Sequence, residues 1–550
     1  MSKKARVLLL SPNLKGMENG LNRIQPPLGL MLSAAVMRDQ GHHVKVHDAA
    51  LEGWNNRIPI NRSMVMIGQS EEELITLISD FSPDIVGISA LFSNLMESAH
   101  NIASIIKKVN RNITVVLGGN HISSAIRDYK LSKTSLDPLF PAQLIDLDDK
   151  NIDYAMYGEV DYEFPKLVTS LVNKMDLTDI RGLVFKNHIE NKIYIADTPD
   201  TISNLDGLPF PARDLVNMEG YFDIGAFHSP KSRSKRVLSV MASRGCPEKC
   251  TFCTTPDMWG AKVRWRSTKN IITEIKNGIR DYDIGELQFE DDTITARKKN
   301  LLELCTELKK IGLPWCTPNG VKVNYHEPAQ LDMFKAMADS GCYQITLACE
   351  TGVQSVMDRI VKKKLNIDSI YPAIANAKKS GMLVHTFWIL GFPGETYEEI
   401  QQTVDFALKS GADSFSFAIL SPLPGTPIYR DVIRNNLFWK GIGIDDLLYR
   451  SSLLKVDGFD DADQFEKFVS EANFKANNIL LEDNPERFKL KYGKFYDDKK
   501  PNKKRYDLSA LVADINTAVI GQKRLGGYQN RFEGIFKKFT NMINTQLKRE

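Results

Sequence analysis

Residues 244–253 read Arg244-Gly245-Cys246-Pro247-Glu248-Lys249-Cys250-Thr251-Phe252-Cys253. They hold three cysteines spaced C-x3-C-x2-C, directly after the apolar run Val237 to Ala242. A loop this short can bring three thiolates onto one small inorganic cluster, and iron–sulfur clusters are held by cysteine thiolates at close spacings. Three protein ligands on a four-iron cluster leave one iron open. An open position is what a catalytic metal site keeps for a substrate or cofactor. A zinc knuckle is the competing reading. Zinc takes a fourth Cys or His close by, and the nearest histidines are His228 and His326, so the cluster is preferred.

Downstream of this loop the alternation of strand and helix repeats six times. Strands are expected at 237–242, 286–289, 315–318, 344–349, 384–389 and 414–419, with helical stretches such as 269–280, 329–338 and 397–409 between them. Six such units suit an incomplete TIM-like barrel, whose chemistry sits at the C-terminal ends of its strands. The residues at those ends are polar or glycine-rich. The cysteine loop follows the first strand and Glu290-Asp291-Asp292 the second. Asn319 stands near the third and Glu350-Thr351-Gly352 after the fourth. Gly391-Phe392-Pro393-Gly394-Glu395 and Ser421-Pro422-Leu423-Pro424-Gly425-Thr426 follow the fifth and sixth. For each carboxylate alone, a helix cap or first-turn acid is the ordinary role. The stretch from Trp259 to Arg266 is expected to pack on the surface, because Trp and Arg also cover helices.

Upstream, strands at 5–10, 44–47, 84–89 and 113–117 alternate with helices at 27–40, 71–81 and 97–109. That order implies parallel pairing in a doubly wound sheet, with a ligand outside the carboxyl ends of the strands. Asp48, Ser89-Ala90-Leu91 and Gly118-Gly119 stand at those ends. The glycines let a bulky ligand approach the backbone. Residues 153–159 add a final strand and turn. A connector follows, with the proline-rich stretch 208–214 extended. Lys231, Arg233, Lys235 and Arg236 precede the first barrel strand and are expected as solvated surface. Residues past 429 read as mostly helical, with a Lys-rich surface loop at 497–504.

At 550 residues the chain holds several domains of about 150 residues each. Hydrophobic content of 43% and charged content of 25% are those of a soluble globular protein. A net charge of +3 demands neither nucleic acid nor an anionic membrane. No apolar run reaches the roughly 18 residues of a spanning helix, and 7–10 is too short for a signal peptide, so a cytoplasmic location is expected. All seven cysteines lie at or after Cys246. An odd count without a secretion signal argues against a disulfide framework. Cys305, Cys316, Cys342 and Cys349 are expected as buried, inert thiols.

The C-x3-C-x-aromatic-C pattern, with Phe252 as the aromatic, resembles the signature of the radical S-adenosylmethionine (SAM) enzymes. Glu290-Asp291-Asp292 resembles their F-x-D-D element, which helps orient SAM. Glu350 resembles the acidic residue on the SAM ribose, and the stretch 389–396 around Gly391 the G-x-P-G-E-T turn near the adenine. Upstream, Ser89-Ala90-Leu91 and Gly118-Gly119 resemble the S-x-L and Gly-Gly motifs of the cobalamin-binding Rossmann-like domain. Asp48-Ala49-Ala50-Leu51-Glu52-Gly53 has the frame of its D-x-H-x-x-G motif, with Ala50 where the cobalt-ligating His would be. Gly158-Glu159 resembles its closing stretch. Over roughly residues 5–430 the chain is similar to the cobalamin-dependent (class B) radical SAM methyltransferases. Within them it looks most like the phosphonate C-methyltransferases of fosfomycin biosynthesis, on residues 27–30, 87–94 and 288–292.

The resemblance implies an α/β chain: a Rossmann-like cobalamin-binding domain at 1–175, a connector at 176–230, a partial (β/α)6 TIM-like radical SAM barrel at 231–430 and a mostly helical C-terminal region at 431–550. It implies a [4Fe-4S] cluster on Cys246, Cys250 and Cys253. SAM would lie near Glu290, Asp291, Asp292, Glu350 and Gly391. Cobalamin, without the usual His lower ligand, would lie near Asp48, Ser89, Leu91, Gly118 and Gly119. The implied activity is methylation of an unactivated carbon of a small molecule. One SAM would methylate cobalamin and a second would be cleaved to a radical. A rearrangement or cyclisation without net methylation stays open. Reduced flavodoxin or ferredoxin is the implied electron donor, and no nucleic acid is expected. A methylthiotransferase needs extra N-terminal cysteines, and residues 1–245 contain none.

Overall fold

The computed structural model describes residues 3–18, 22–60, 64–134, 145–229, 232–327, 330–442, 446–447 and 451–483. The Lys-rich stretch 497–504 lies outside them.

In the N-terminal half, His43–Asp48, Arg6–Ser11, Ile85–Ser89, Thr114–Gly118 and Tyr154–Met156 lie side by side in that order, all parallel. This is the flavodoxin-like strand order. Its direction of winding reverses between Arg6–Ser11 and Ile85–Ser89, which opens a crevice at the carboxyl ends. Leu8, Leu9 and Leu10 are all fully buried, because helices cover both faces of a parallel sheet. Helices Leu28–Asp39 and Glu163–Val172 pack on one face, Glu71–Phe81 and Met96–Val109 on the other. Helix Glu71–Phe81 starts where its sequence says, on a capping box between Ser70 and Glu73. The sheet continues past residue 175. Leu183–Asn187 and Lys192–Ile195 add an antiparallel hairpin to its edge. A small antiparallel sheet of Leu14–Met17, Met64–Ile67 and Arg57–Pro59 also forms, from strands too short to show a period.

In the second half, Val237–Val240, Glu286–Phe289, Trp315–Lys322, Cys342–Glu350, Leu383–Leu390 and Ser414–Ile419 pair in chain order, all parallel. They form the six-stranded partial barrel. Leu287, Phe289, Ile345, Leu347, Val384, Trp388, Phe415 and Phe417 pack outward in the barrel's hydrophobic core. Alternation then turns Glu286, Gln288, Glu290, Thr346, His385 and Ser414 to the lumen. The sixth strand's outer edge is covered by helix Ala462–Asp483. Asn473 on that helix accepts from Phe417 N at 2.9 Å and donates to Phe417 O at 2.8 Å, standing in for a missing neighbour strand.

The end of the connector runs along the second strand, inside the barrel. The His228 ring bonds Glu290 Oε2 at 2.7 Å, Ser229 N donates to Gln288 Oε1 at 2.9 Å, and Ser234 N donates to Glu286 Oε2 at 2.9 Å. Tyr343 of the fourth strand donates to Glu286 Oε1 at 2.8 Å, a bond that crosses the lumen. The basic cluster expected on the surface is therefore partly internal. Arg233 is buried with its guanidinium 4.5 Å from the Tyr343 ring centre, and burial holds its pKa down to about 9. Arg236 pairs with Glu219 and lies over Phe222. Lys231 lies outside the described residues.

Candidate active site

The cysteine loop is built by contacts on every side. Gly245 has φ +96°, and a Cβ there would stand 2.5 Å from Lys262 O, so only glycine fits this turn. Thr251 donates from N to Val361 O at 3.1 Å and from Oγ1 to Ile360 O at 2.7 Å. Its own carbonyl accepts from Ile428 N at 3.2 Å. Phe252 packs on Phe392, ring centres 6.1 Å apart. Glu248 Oε1 accepts from Lys322 Nζ at 2.9 Å and Tyr325 OH at 3.0 Å. Burial pushes the Cys246 thiol up to about 11 and raises Cys250 and Cys253 as well. Thiols so placed ionise only against strong positive charge, which metal ions supply. Among the described residues no group of three His, Cys, Asp or Glu is arranged to hold a single metal ion. A four-iron cluster instead takes each thiolate on a different iron, and three partly exposed thiols on one pinned loop fit that demand.

Acidic groups ring the loop in different states. Asp292 accepts from Thr255 Oγ1 at 3.0 Å, and burial raises it to about 6. Asp291 is buried under the loop, accepting from Ala242 N at 3.0 Å and from the Ser243 hydroxyl, and burial raises it to about 7. It ties the second strand's end to the first. Glu290 bonds His228 through Oε2, and its Oε1 has no protein donor. Glu350 sits at a register shift that ends the fourth strand, with φ +65°. Left-handed backbone at a non-glycine residue stores strain of the kind found at functional sites. Its carboxylate accepts from buried Lys363 at 2.7 Å, and Lys363 also donates to Ala348 O at 2.8 Å.

One strand-end carboxylate has a role other than the ordinary one. Glu395 is not the cap of helix Tyr397–Lys409, which is Thr396 in a capping box with Glu399. Glu395 Oε2 accepts instead from Gly391 N at 2.9 Å and Phe392 N at 3.0 Å, closing its own turn. Its Oε1 is buried without a protein donor, and burial raises the group to about 7. Gly391 has φ +82°, and a Cβ there would stand 2.8 Å from Phe465, so the C-terminal helix covers this turn.

On the Rossmann-like side, the position of a Cβ on Gly118 meets nothing closer than 4.0 Å. Gly119 has φ +109°, and a Cβ there would stand 2.3 Å from Ala90 O. Ser89 pairs in register with Gly118, and Leu91 and Phe92 beside them are 44% and 45% exposed. The open glycine and uncovered apolar surface fit the edge of a large flat ligand. Asp48 faces inward. Its Oδ1 caps helix Ala49–Glu52 through Ala50 N and Leu51 N, and its Oδ2 accepts from Tyr221 OH at 2.7 Å. Ala50 is buried in the same core as Leu51, Met218, Tyr221 and Phe222.

Helix Asn120–Thr134 carries this crevice to the barrel mouth. Asn120 Nδ2 donates to Thr254 Oγ1 at 2.7 Å, one residue beyond Cys253, and Asn120 Oδ1 is buried without a donor. Arg127 pairs with Asp257, and Asp128 takes Gly425 N and Arg430. Behind the cysteine loop lies a buried charge cluster. Arg244 donates to Glu159 and, at 2.8 and 3.0 Å, to Asp161, while Arg264 donates to Glu159 Oε2 at 2.7 Å. Trp259 lies 4.5 Å from the Arg244 guanidinium. Trp259 and Arg264, expected as surface, thus pack across the boundary. Glu159, His228 and Lys363 were not singled out as site residues. The partners of Glu159 and His228 lie 85 and 62 positions away, and Lys363 meets Glu350 only through the fold of the segment between them; the Glu beside Gly158 alone gave a local sign.

An iron–sulfur-type cysteine loop at a barrel mouth, facing a corrin-type crevice, defines the class. A radical SAM superfamily domain matches residues 240–407 and a B12 binding domain residues 21–134. The cytidylyl-2-hydroxyethylphosphonate methyltransferase of Streptomyces wedmorensis is 32% identical, over 86% of this chain and 90% of its own. An uncharacterized methyltransferase of Pyrococcus horikoshii is 31% identical over 78% and 83%. The cobalamin-dependent SAM radical enzyme OxsB, with aqua-cobalamin and SAM bound, shares the fold at TM-score 0.62 and 14% identity, over 99% of this chain and 76% of its own. The methyltransferase TsrM from Kitasatospora setae does so at 0.59 and 16%, over 78% and 75%. The chain belongs to the cobalamin-dependent radical SAM methyltransferases. It is an enzyme of methyl transfer that works with a [4Fe-4S] cluster, SAM and cobalamin. No helix among the described residues is long and apolar enough to cross a membrane.

Proposed function

We propose that this enzyme methylates an unactivated carbon of a cytidylylated hydroxyalkylphosphonate. The substrate class follows its 32% identical relative, whose name gives cytidylyl-2-hydroxyethylphosphonate and whose length this chain spans to 90%. The observation that supports methyl transfer at this site is the bond from Asn120, beside the Gly118-Gly119 crevice, to Thr254 beside Cys253. It would seat the two cofactor faces against one another. Cys246, Cys250 and Cys253 would hold the cluster. Glu350, Asp292 and the turn at Gly391 would face SAM, while Asp291 fixes the strand end beneath them. Ser89, Leu91, Gly118 and Gly119 would receive cobalamin, and Asp48 would shape the turn under it. The corrin would bind without a His lower ligand, since Ala50 is packed in core and both Asp48 oxygens are engaged. When bound, the cluster supplies the electron that cleaves one SAM, and the corrin carries the methyl group of another. Reduced flavodoxin or ferredoxin would deliver that electron.

The test is an anaerobic incubation of cluster- and cobalamin-loaded protein with SAM, reductant and cytidylyl-2-hydroxyethylphosphonate, read by mass spectrometry. Methylated product with both 5'-deoxyadenosine and S-adenosylhomocysteine is expected. 5'-Deoxyadenosine with a rearranged, unmethylated product would overturn the reading.

A further inference from the structure

The strand registers place a polar layer across the barrel lumen. Gln288, Cys316 and Gln344 are aligned on strands two, three and four. Two residues further along, Glu290 and Thr346 therefore share the next level on the same inward face. Thr346 is in register with His385, and His385 with Ser414, whose hydroxyl lies 2.7 Å from the His385 ring. Side chains at one height of a barrel form a layer. This one consists of His228–Glu290, Thr346 and His385–Ser414.

Two atoms of the layer have no protein partner. Glu290 Oε1 and Thr346 Oγ1 are buried without a hydrogen bond, on residues 9% and 1% exposed. Buried polar atoms in a native protein are paired, so these two await a partner from outside the chain. The His228 side chain, on the other Glu290 oxygen, is 23% exposed, so the layer is open to an entering group. On the mouth side, Phe387 stands two residues above His385, its ring centre 5.1 Å from the imidazole. An entering group therefore passes an aromatic ring and then meets this layer.

We propose that the layer reads a hydroxyl group of the substrate, held between Glu290 Oε1 and Thr346 Oγ1, with His228 positioning the carboxylate. A hydroxyl matches both atoms, because it donates to the carboxylate and accepts from the threonine O–H. An ammonium donates only and leaves the threonine O–H without an acceptor. The Arg233 guanidinium, over the ring of the Tyr343 that bonds Glu286, further sets the lumen against a second cation. Glu290, expected beside SAM from its motif, is on this proposal a specificity residue for the substrate together with Thr346, and His228 is a positioning residue.

This inference rests on the proposed phosphonate substrate, so the test uses three probes: cytidylyl-2-hydroxyethylphosphonate, its 2-deoxy counterpart cytidylyl-ethylphosphonate, and cytidylyl-2-aminoethylphosphonate. Binding to the loaded enzyme is measured by anaerobic calorimetry. The hydroxyl probe should bind at least about 10-fold more tightly than either analogue, since losing it leaves two buried groups unpaired. In Glu290→Gln and in Thr346→Val the preference over the deoxy probe should fall to within about threefold, with deoxy affinity retained. Thr346→Val is nearly isosteric and carries the test if the Glu290 variant misfolds. In His228→Asn a smaller loss of preference is expected, because the carboxylate remains but is less well held. Equal binding of hydroxyl and deoxy probes by wild type, or a preference that survives in both variants, overturns the hydroxyl site and leaves the substrate reading standing. Tightest binding of the amino probe overturns it in favour of a cation site. If no probe binds, the phosphonate reading fails and the hydroxyl site falls with it.

Discussion

Tyr221 donates its buried hydroxyl to Asp48 Oδ2 at 2.7 Å, joining residues 173 positions apart. The bond ties the connector to the turn where Ala50 replaces the His of the cobalamin motif. Burial raises Asp48 to about 6, and the Tyr221 bond is the strongest influence holding it down. Tyr221→Phe should destabilise the protein by about 1–3 kcal/mol, the cost of a buried acceptor left without a donor. The pH sign follows. A carboxyl whose folded pKa lies above its unfolded value contributes stability at low pH that is lost as pH rises through the folded value. Without Tyr221 that value rises further. The loss in urea midpoint should therefore be larger near pH 8 than near pH 5, and an equal loss at both would count against this account.

Glu286 behaves in the same direction inside the barrel. Burial raises it to about 7 despite bonds from Tyr343, Gln288 and two backbone N–H groups. The stability it contributes in its protonated form is present below its ordinary carboxylate value and lost as pH rises through about 7. Glu286→Gln should flatten the dependence of melting temperature on pH between about 5.5 and 8. Differential scanning fluorimetry of the metal-free protein at stepped pH checks it.

How much of this was visible in the chain depends on distance in sequence. Strands Glu286–Phe289 and Ser414–Ile419 and helix Tyr397–Lys409 have the bounds that their apolar runs and caps dictate. The cysteine spacing needs no partner to be read. Arg244 and Glu159 are 85 positions apart, and His228 and Glu290 are 62 apart. Nothing local distinguishes such residues from solvated charges. Arg233 read as surface because its ring partner, Tyr343, arrives only with the fourth strand. The hairpin at 183–195 read as connector because its strands pair antiparallel at an edge, without the helix that marks a parallel unit.

The Lys363–Glu350 pair is buried at both ends, with side chains 6% and 8% exposed. Lys363→Met should cost about 3–5 kcal/mol, because it strands a carboxylate in the interior. Lys363→Met with Glu350→Gln should cost less than the single change. Denaturant midpoints of Lys363→Met, Glu350→Gln, the double variant and wild type decide it, and additive losses would argue against a coupled pair.

Glu159 receives two arginines, Arg244 before the cysteine loop and Arg264 after it. Glu159→Gln should lower stability by about 3–5 kcal/mol. Because Arg244 keeps Asp161, the barrel itself should stay folded. Limited proteolysis should then cut within the connector faster than in wild type. An unchanged cleavage pattern would mean that the charge cluster does not hold the two halves together.

The placement of residues 226–229 and 232–234 along the second barrel strand bears on how such enzymes diversify. Arg213 already packs on the barrel's first strand and the helix after it, bonding Glu274 at 2.6 Å and Ser239 O at 2.9 Å, and Met218, Tyr221, Phe222 and Phe227 belong to the barrel's own core. The heritable unit of the second half therefore begins well before its first strand. A recombination that imported a new N-terminal half and broke the chain near residue 230 would hand the barrel a foreign interior along with the foreign domain. Exchange that leaves the catalytic half intact has to break upstream of Arg213. Substrate choice and N-terminal ancestry are thereby linked through a stretch of backbone that neither domain, taken as a separate module, would claim.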